Sequence, residues 1–334
     1  MNRGAAVRTV VGVLSLLAFT AGAGGAAGGP GQAAGQAAPI ALKADLTIGV
    51  EDGDESLMFG NVSRVGLDGR GNIYVLDYKF RKIAVFDEAG RLLRTIAVPA
   101  GQGPREATNL SGIAVTPGGT LFINDTRKVI VYGPDGQHLR TFLIDFMISS
   151  IGCAGAEELV AIGPNGGKIL HVFDPAGKLL ASFGDTFAPP GEFAPMKDMP
   201  MFGAPLLFDG AGDGRIFVLN PHRYEVSVFK DRKLERTIAG QSELFKPLQK
   251  MGRGIVSTAA HIVASGGLVL VAMQNLDPKA KKTADVFLDG KQIGSMEIPG
   301  TPCNVDARGR IYFAEEEGFP RVVRYAVTRS GSAP

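Results

Sequence analysis

Basic side chains recur in this sequence a few residues downstream of short apolar runs: Lys79 and Arg81, Arg127 and Lys128, His222 and Arg223, Lys279, Lys281 and Lys282, and Arg321, with Arg105 in a glycine-rich stretch between two of these groups. Gathered on one face, they would form a cationic rim able to hold a carboxylate, a sugar acid or a phosphorylated surface through charge-assisted hydrogen bonds. The simpler account, and the preferred one, is that these groups are solvated or pair locally with Asp77 and Asp125. Other chemistry is thinly supplied. His138, His171, His222 and His261 have no ligand-like spacing. No nucleophile elbow, Walker loop, dinucleotide fingerprint or paired-cysteine site is present, so no catalytic residue is assigned. Gly101-Gln102-Gly103-Pro104 is glycine-rich, yet no helix follows it to present amides to a phosphate.

The elements that position these residues are read from an internal repeat. Residues 47–77 match residues 95–125 without gaps: Thr47, Ile48, Val50, Gly53, Ser63, Gly71 and Asp77 recur as Thr95, Ile96, Val98, Gly101, Ser111, Gly119 and Asp125. A weaker marker continues the series, an apolar segment ending in an aromatic residue: Ile83 to Phe86, Val129 to Tyr132, Leu170 to Phe173, Val226 to Phe229, Asp285 to Phe287 and Val322 to Tyr325. Each unit also holds an earlier hairpin at a glycine-bearing turn such as Asp68 to Asn72 or Asp306 to Gly309, because tight turns need positive φ. The third unit is irregular there, with Gly155-Ala156-Glu157-Glu158.

One unit is therefore four strands, an inner A, then B, C and an outer D, and six such units predict an all-β, six-bladed β-propeller of four-stranded antiparallel blades. The strands read as nearly continuous apolar runs because a blade packs both faces against its neighbours. The sixth unit ends after its third strand, while Ala44 to Val50 is a lone fourth strand, so the N-terminal strand is predicted to close the last blade and cover its edge. In this arrangement the basic residues lie on loops joining B to C, and Arg105 on a loop joining D to the next A, all on one face around a central channel. Among the histidines, His222 alone falls there.

Cys153 and Cys303 fall on the inner strands of blades 3 and 6, across the ring from each other, which predicts two buried thiols and no disulfide. Two crossovers exceed ordinary loop length. Phe187 to Phe202 carries Met196, Met199 and Met201, and Ser242 to Gly254, with Phe245, could form one short amphipathic helix; both could cap the channel or merely cover blade edges.

Before the repeats, Arg3 and Arg8, the apolar stretch Thr9 to Thr20 and Ala21-Gly22-Ala23 form an export-signal pattern. The expected organisation is a signal peptide over 1–23, a Gly/Ala-rich linker over 24–40, the propeller over 41–328 and a tail over 329–334, with the protein periplasmic or secreted and no membrane span in the mature chain. Removing Arg3 and Arg8 leaves 33 basic against 33 acidic residues, so the mature chain lacks the basic excess of a nucleic-acid binder.

Ile73-Tyr74-Val75-Leu76-Asp77, Arg81-Lys82-Ile83, Val85-Phe86-Asp87, Gly90 and Gly101-Gln102-Gly103-Pro104 resemble NHL repeats and the exported bacterial 6-bladed β-propeller proteins, and Ile48 to Asp54 through Phe59-Gly60 is similar to the opening of the latter. The resemblance covers about residues 44 to 327. Arg105 departs from it, standing where a second glycine is common, and the third and fifth units lack the aspartate of Asp77 and Asp125. Its motifs mark blade architecture and are poor reporters of activity. The first reading is a monomeric, non-enzymatic scaffold that binds a protein or carbohydrate on the crossover face through residues such as Lys79, Arg81, Arg105, Arg127, His222, Arg223 and Arg321, with no cofactor. The alternative is a calcium-dependent hydrolase or lyase, since lactonase-, paraoxonase- and amidating-lyase-like rings gather Asn, Asp, Glu or His around an ion. Asn61, Asn109 and Asn304 are then the candidate oxygen ligands, although Asn at a strand entry is more often a turn residue.

Overall fold

The computed structural model describes residues 40–189, 191–199, 208–210, 214–220, 222–247, 249–251, 254–256, 258–274 and 280–329. The segments expected to be a signal peptide, a linker up to residue 39 and a tail beyond Arg329 lie outside the described residues. Strands Val62–Leu67, Ile73–Asp77, Lys82–Phe86 and Leu92–Ala97 form blade 1; Gly112–Val115, Leu121–Asp125, Lys128–Tyr132 and His138–Leu143 form blade 2. Blade 3 comprises Ser150–Ala154, Glu158–Asn165, Lys168–Phe173 and Leu179–Asp185, and blade 4 comprises Phe208–Gly210, Ile216–Asn220, Glu225–Lys230 and Lys233–Ala239. Ala259–Ser265, Leu268–Met273, Thr283–Leu288 and Lys291–Glu297 make blade 5, and Thr301–Val305, Ile311–Glu315, Arg321–Arg329 and the N-terminal Ile40–Ile48 make blade 6.

The burial gradient across a blade follows its sequence. Every residue of the B strand Ile73–Asp77 is buried, whereas the D strand Leu92–Ala97 alternates, because only its inward side meets a neighbour. Apolar cores lie between adjacent blades: Leu76, Ile83 and Val85 of blade 1 pack with Ile113, Leu121 and Ile123 of blade 2. The C-to-D turns show why glycine recurs, since Gly90 and its counterpart Gly136 both have φ of +83°, a region costly for a side chain. In five blades the residue after the D strand donates its amide to a B–C loop carbonyl, as Val98 does to Arg81 at 2.9 Å and Ile298 to Lys282 at 2.9 Å. The two crossover types therefore share one face.

Ring closure occurs as the repeat requires. Ile48 pairs with Val322 and Thr47 with Val323, and the pairing runs back to Ile40 opposite Arg329, four residues beyond the expected start. Ile40 belongs there because its side chain is buried between blades 5 and 6. The register skips Asp45, whose carboxylate meets Arg324 at 2.8 Å, and Arg310 in turn reaches Glu88 of blade 1 at 2.8 Å. The closing strand is thus fastened by apolar burial, by a ladder and by a charge network that crosses to the next blade.

The aspartates recognised in the repeat are locks. Asp77 is fully buried and accepts the amides of Gly60 at 2.7 Å, Asn61 at 3.1 Å and Phe80 at 3.0 Å, tying the incoming crossover to the B–C loop. Asp125 does the same for Thr108 and Asn109 at 2.9 and 2.7 Å, and pairs with Lys128 at 3.2 Å. Asp77 has no such cationic partner among the described residues; its neighbour Lys82 caps the carbonyl of Met58 at 2.8 Å instead. Blade 3 has Gly163 at this position, where a Cβ would collide with the Met147 carbonyl and the Phe146 ring. Blade 5 is locked from its neighbour: the Tyr224 hydroxyl of blade 4 donates to the buried Asp285 carboxylate at 2.6 Å.

The helix that 242–254 could form is absent among the described residues of that segment. Residues 243–244 make a turn, and Gln249–Met251 pairs with Gly254–Val256 as a small hairpin. Pro247 interrupts any helix there, Lys246 donates its amide to the Thr258 hydroxyl, and Phe245 stacks on Tyr224 with centroids 5.1 Å apart. In the other crossover, Gly191–Met196 forms a short 3₁₀ helix with Phe193 buried and Met196 and Met199 exposed, while Met201 lies outside the described residues.

Candidate functional site

The rim residues expected from sequence divide into two groups. Arg81 donates Nε to the Val98 carbonyl at 3.1 Å and Nη2 to the carbonyls of Pro99 and Ala107. Arg127 does likewise to Ile144 at 3.1 Å, and Arg321 pairs with Glu315 at 2.6 Å while capping the Glu317 carbonyl. These guanidinium groups hold crossovers in place, which is local pairing, though with carbonyls and Glu315 more than with Asp77 and Asp125. His222 is nearly buried, its amide donating to Asn220 Oδ1 at 2.9 Å.

Lys79, Arg105 and Arg223 remain exposed and make no ion pair among the described residues. They do not converge. Arg105 lines a groove between the outer parts of blades 1 and 2, with Arg94, Tyr132 and His138. Arg223 lines another between blades 3 and 4, with Lys168, Asp185 and Arg232. Lys79 stands on the B–C loop of blade 1 between Tyr78 and Phe80, which are 48% and 49% exposed, its ammonium 5.7 Å from the Phe80 ring.

The three asparagines do not assemble into a cation site. Asn61 and Asn109 sit at strand entries, held through their amides by Asp77 and Asp125. Asn304 is on an inner strand, where its Nδ2 donates to Val65 O at 3.0 Å and staples blade 6 to blade 1. Among the described residues, no group of three or more His, Cys, Asp or Glu side chains could hold a metal ion.

The convergence that does occur is inside the channel. A cavity of about 130 Å³ is lined by the inner strands of blades 1, 2, 3, 5 and 6. Pairing with the B strands sets their levels. Arg64, Gly112, Ser150 and His261 stand opposite Leu76, Asn124, Ile162 and Ala272, which are equivalent positions, so all four occupy the layer nearest the crossover face. Val65, Ile113, Ile151, Ile262 and Pro302 form the layer beneath. Burial brings the His261 pKa down to about 3, assisted by the charges of Arg64 and Lys282, so its imidazole is neutral at physiological pH.

Both cysteines line this cavity and are half-buried rather than fully buried, because inner strands face the channel. They are free thiols, as expected. Burial pushes the Cys303 thiol up to about 11 and the Cys153 thiol higher, so both stay protonated. Sequence reasoning assigned neither Arg64 nor His261 to a site. The available signal was a basic residue interrupting each of two otherwise apolar or small inner strands, Val62–Leu67 and Ala259–Ser265.

A family model described as a 6-bladed beta-propeller matches residues 52–160. The chain is a six-bladed β-propeller. Among solved structures, the propeller is similar to a member of the DUF4221 family from Bacteroides vulgatus, at TM-score 0.57 and 12% identity over 87% of this chain and 99% of that one. It is also similar to a Bacteroides fragilis protein assigned as exported, at TM-score 0.53 and 11% identity over 87% and 96% of the two chains. A streptogramin B lyase matches at TM-score 0.50 and 10% identity over 86% and 98%. At such identities the likeness extends to the propeller fold alone. A search of curated proteins finds no significant match.

Proposed function

We propose that the propeller is exported and acts, as a monomer, as a non-enzymatic scaffold that binds a protein or carbohydrate on its crossover face. The carrying observation is the Tyr78-Lys79-Phe80 tip of blade 1. Two half-exposed aromatic rings flank a cation there, and the loop beneath is anchored by the Asp77 carboxylate through the Phe80 amide. Rigid aromatic side chains supply contact area at small entropic cost, which is why they anchor recognition surfaces. Met147, 48% exposed on the crossover between blades 2 and 3, adds apolar surface on the same face.

Export is supported by Arg3 and Arg8 ahead of the apolar stretch Thr9 to Thr20 and the small residues Ala21-Gly22-Ala23. The likeness to a Bacteroides protein assigned as exported agrees with it. Among the described residues no helix is long and apolar enough to cross a membrane.

The test places a photo-crosslinking amino acid at Phe80 and, on the opposite face, at the exposed Arg70 of the blade 1 A–B turn, in protein made by its own cells. Discrete adducts at Phe80 with none at Arg70 are expected. Equal labelling at the two positions, or adducts at Arg70 alone, sinks the assignment of the binding face.

A further inference from the structure

The crossover-side layer of the channel holds positive charge with no internal counter-ion among the described residues. Arg64 donates Nη1 to the Ser63 carbonyl at 2.7 Å and makes no ion pair among the described residues. A guanidinium carries five N–H donors, and one carbonyl leaves most of that capacity unused. Among the described residues, no Asp or Glu lines the cavity. The two thiols in its wall stay protonated, so they supply no negative charge.

Lys282, exposed on the B–C loop of blade 5 just before Thr283, accepts the Ile298 amide on its carbonyl at 2.9 Å, which puts a second cation on the crossover face, where its charge bears on His261 and Cys303. It too has no ion-pair partner among the described residues. Half-burying a guanidinium beside a like charge without a counter-ion is unfavourable. A bound anion reverses that sign.

The remaining walls specify more than charge. His261, being neutral, offers hydrogen bonding without adding repulsion or attraction, and Ser150 contributes a hydroxyl-bearing side chain to the same layer. Gly112 leaves room on the blade 2 side. Directly beneath lie Val65, Ile113, Ile151 and Ile262, an apolar collar that a spherical or tetrahedral anion would not use. A planar guanidinium matches the two oxygens of a carboxylate. A cavity of about 130 Å³ suits a small acid, since an apolar cavity of roughly 150 Å³ accepts benzene.

We propose that the crossover-side end of the channel binds a small carboxylate with a short apolar body, its oxygens held by Arg64 and Lys282 and its body in the collar below. This site is separate from the Tyr78-Phe80 surface and does not depend on it.

The test is calorimetric titration of the full mature protein with acetate, propionate and butyrate, with chloride and phosphate as the other arms. Saturable one-to-one binding is expected, tightening by about fourfold per added methylene as each is buried, with no saturable binding of chloride or phosphate. Arg64→Gln is expected to weaken butyrate on the order of tenfold or more, and Arg64→Lys by less, since it keeps the charge and loses the fork. Lys282→Gln, at an exposed position that tolerates substitution, is expected to weaken it a few-fold and serves if Arg64→Gln fails to fold. The proposal is overturned by an absence of saturable binding for all three acids, by phosphate or chloride binding as well as butyrate, or by unchanged butyrate affinity in the variants that fold.

Discussion

Asp77 offers the sharpest test of how the ring is held, because three backbone amides depend on one buried side chain. Hydrogen bonds to a charged acceptor contribute about 1.5–3 kcal/mol each, so their unscreened sum exceeds what any variant will show. Asn61 and Phe80 are exposed, and water can reach their amides once the carboxylate is gone. The loss in Asp77→Ala should therefore be about 3–4 kcal/mol.

Asp77→Asn separates geometry from volume. One amide oxygen can serve Asn61 and Phe80, which share Oδ1, but the NH₂ group then faces the Gly60 amide, donor against donor. The expected loss is about 1.5–3 kcal/mol. Urea unfolding monitored by circular dichroism should give midpoints in the order wild type, Asn, Ala, with an unchanged slope. Midpoints for Asn and Ala that coincide, or that both lie within about 0.5 kcal/mol of wild type, would refute the lock.

Two further outcomes follow from other parts of the ring. Deleting residues 40–50 uncovers the Arg321–Arg329 edge, removes the buried Ile40 and Ile48 and takes Asp45 from Arg324, so light scattering should find aggregate or unfolded chain; a cooperative monomer would overturn the closure. His261 is neutral in the fold down to about pH 3 but protonates near 6.5 when unfolded, so the unfolded chain binds the extra proton between those values and stability falls as pH drops through that window. Denaturation of wild type and His261→Gln from pH 7 to 4 should show a slope shallower in the variant by up to one proton, and identical slopes would remove His261 from the account.

The six four-stranded units, their closure by the N-terminal strand and the recurrence of Asp77 as Asp125 were legible in the residues because each is a local pattern or a repeat of one. Turn glycines, apolar runs and a constant offset of 48 depend on nothing beyond a neighbouring segment. The helix that 242–254 could form is absent among its described residues because Phe245 answers to Tyr224 in the neighbouring chain segment, and the amide of Lys246 to Thr258. Side-chain destination was equally hidden: Arg81 and Lys79 stand two residues apart, yet one grips three crossover carbonyls and the other remains at the surface.

Only the tertiary structure could decide which inner-strand residues share a level in the channel. Arg64 and His261 are nearly two hundred positions apart, and their equivalence follows from registers set by separate B strands and then wrapped around a ring. Sequence by itself determined that the chain makes blades and how the circle closes, since hydrogen-bonded repeats encode those locally. Charge convergence at the centre is a property of the closed circle, because electrostatic proximity depends on distance in space and not on separation along the chain.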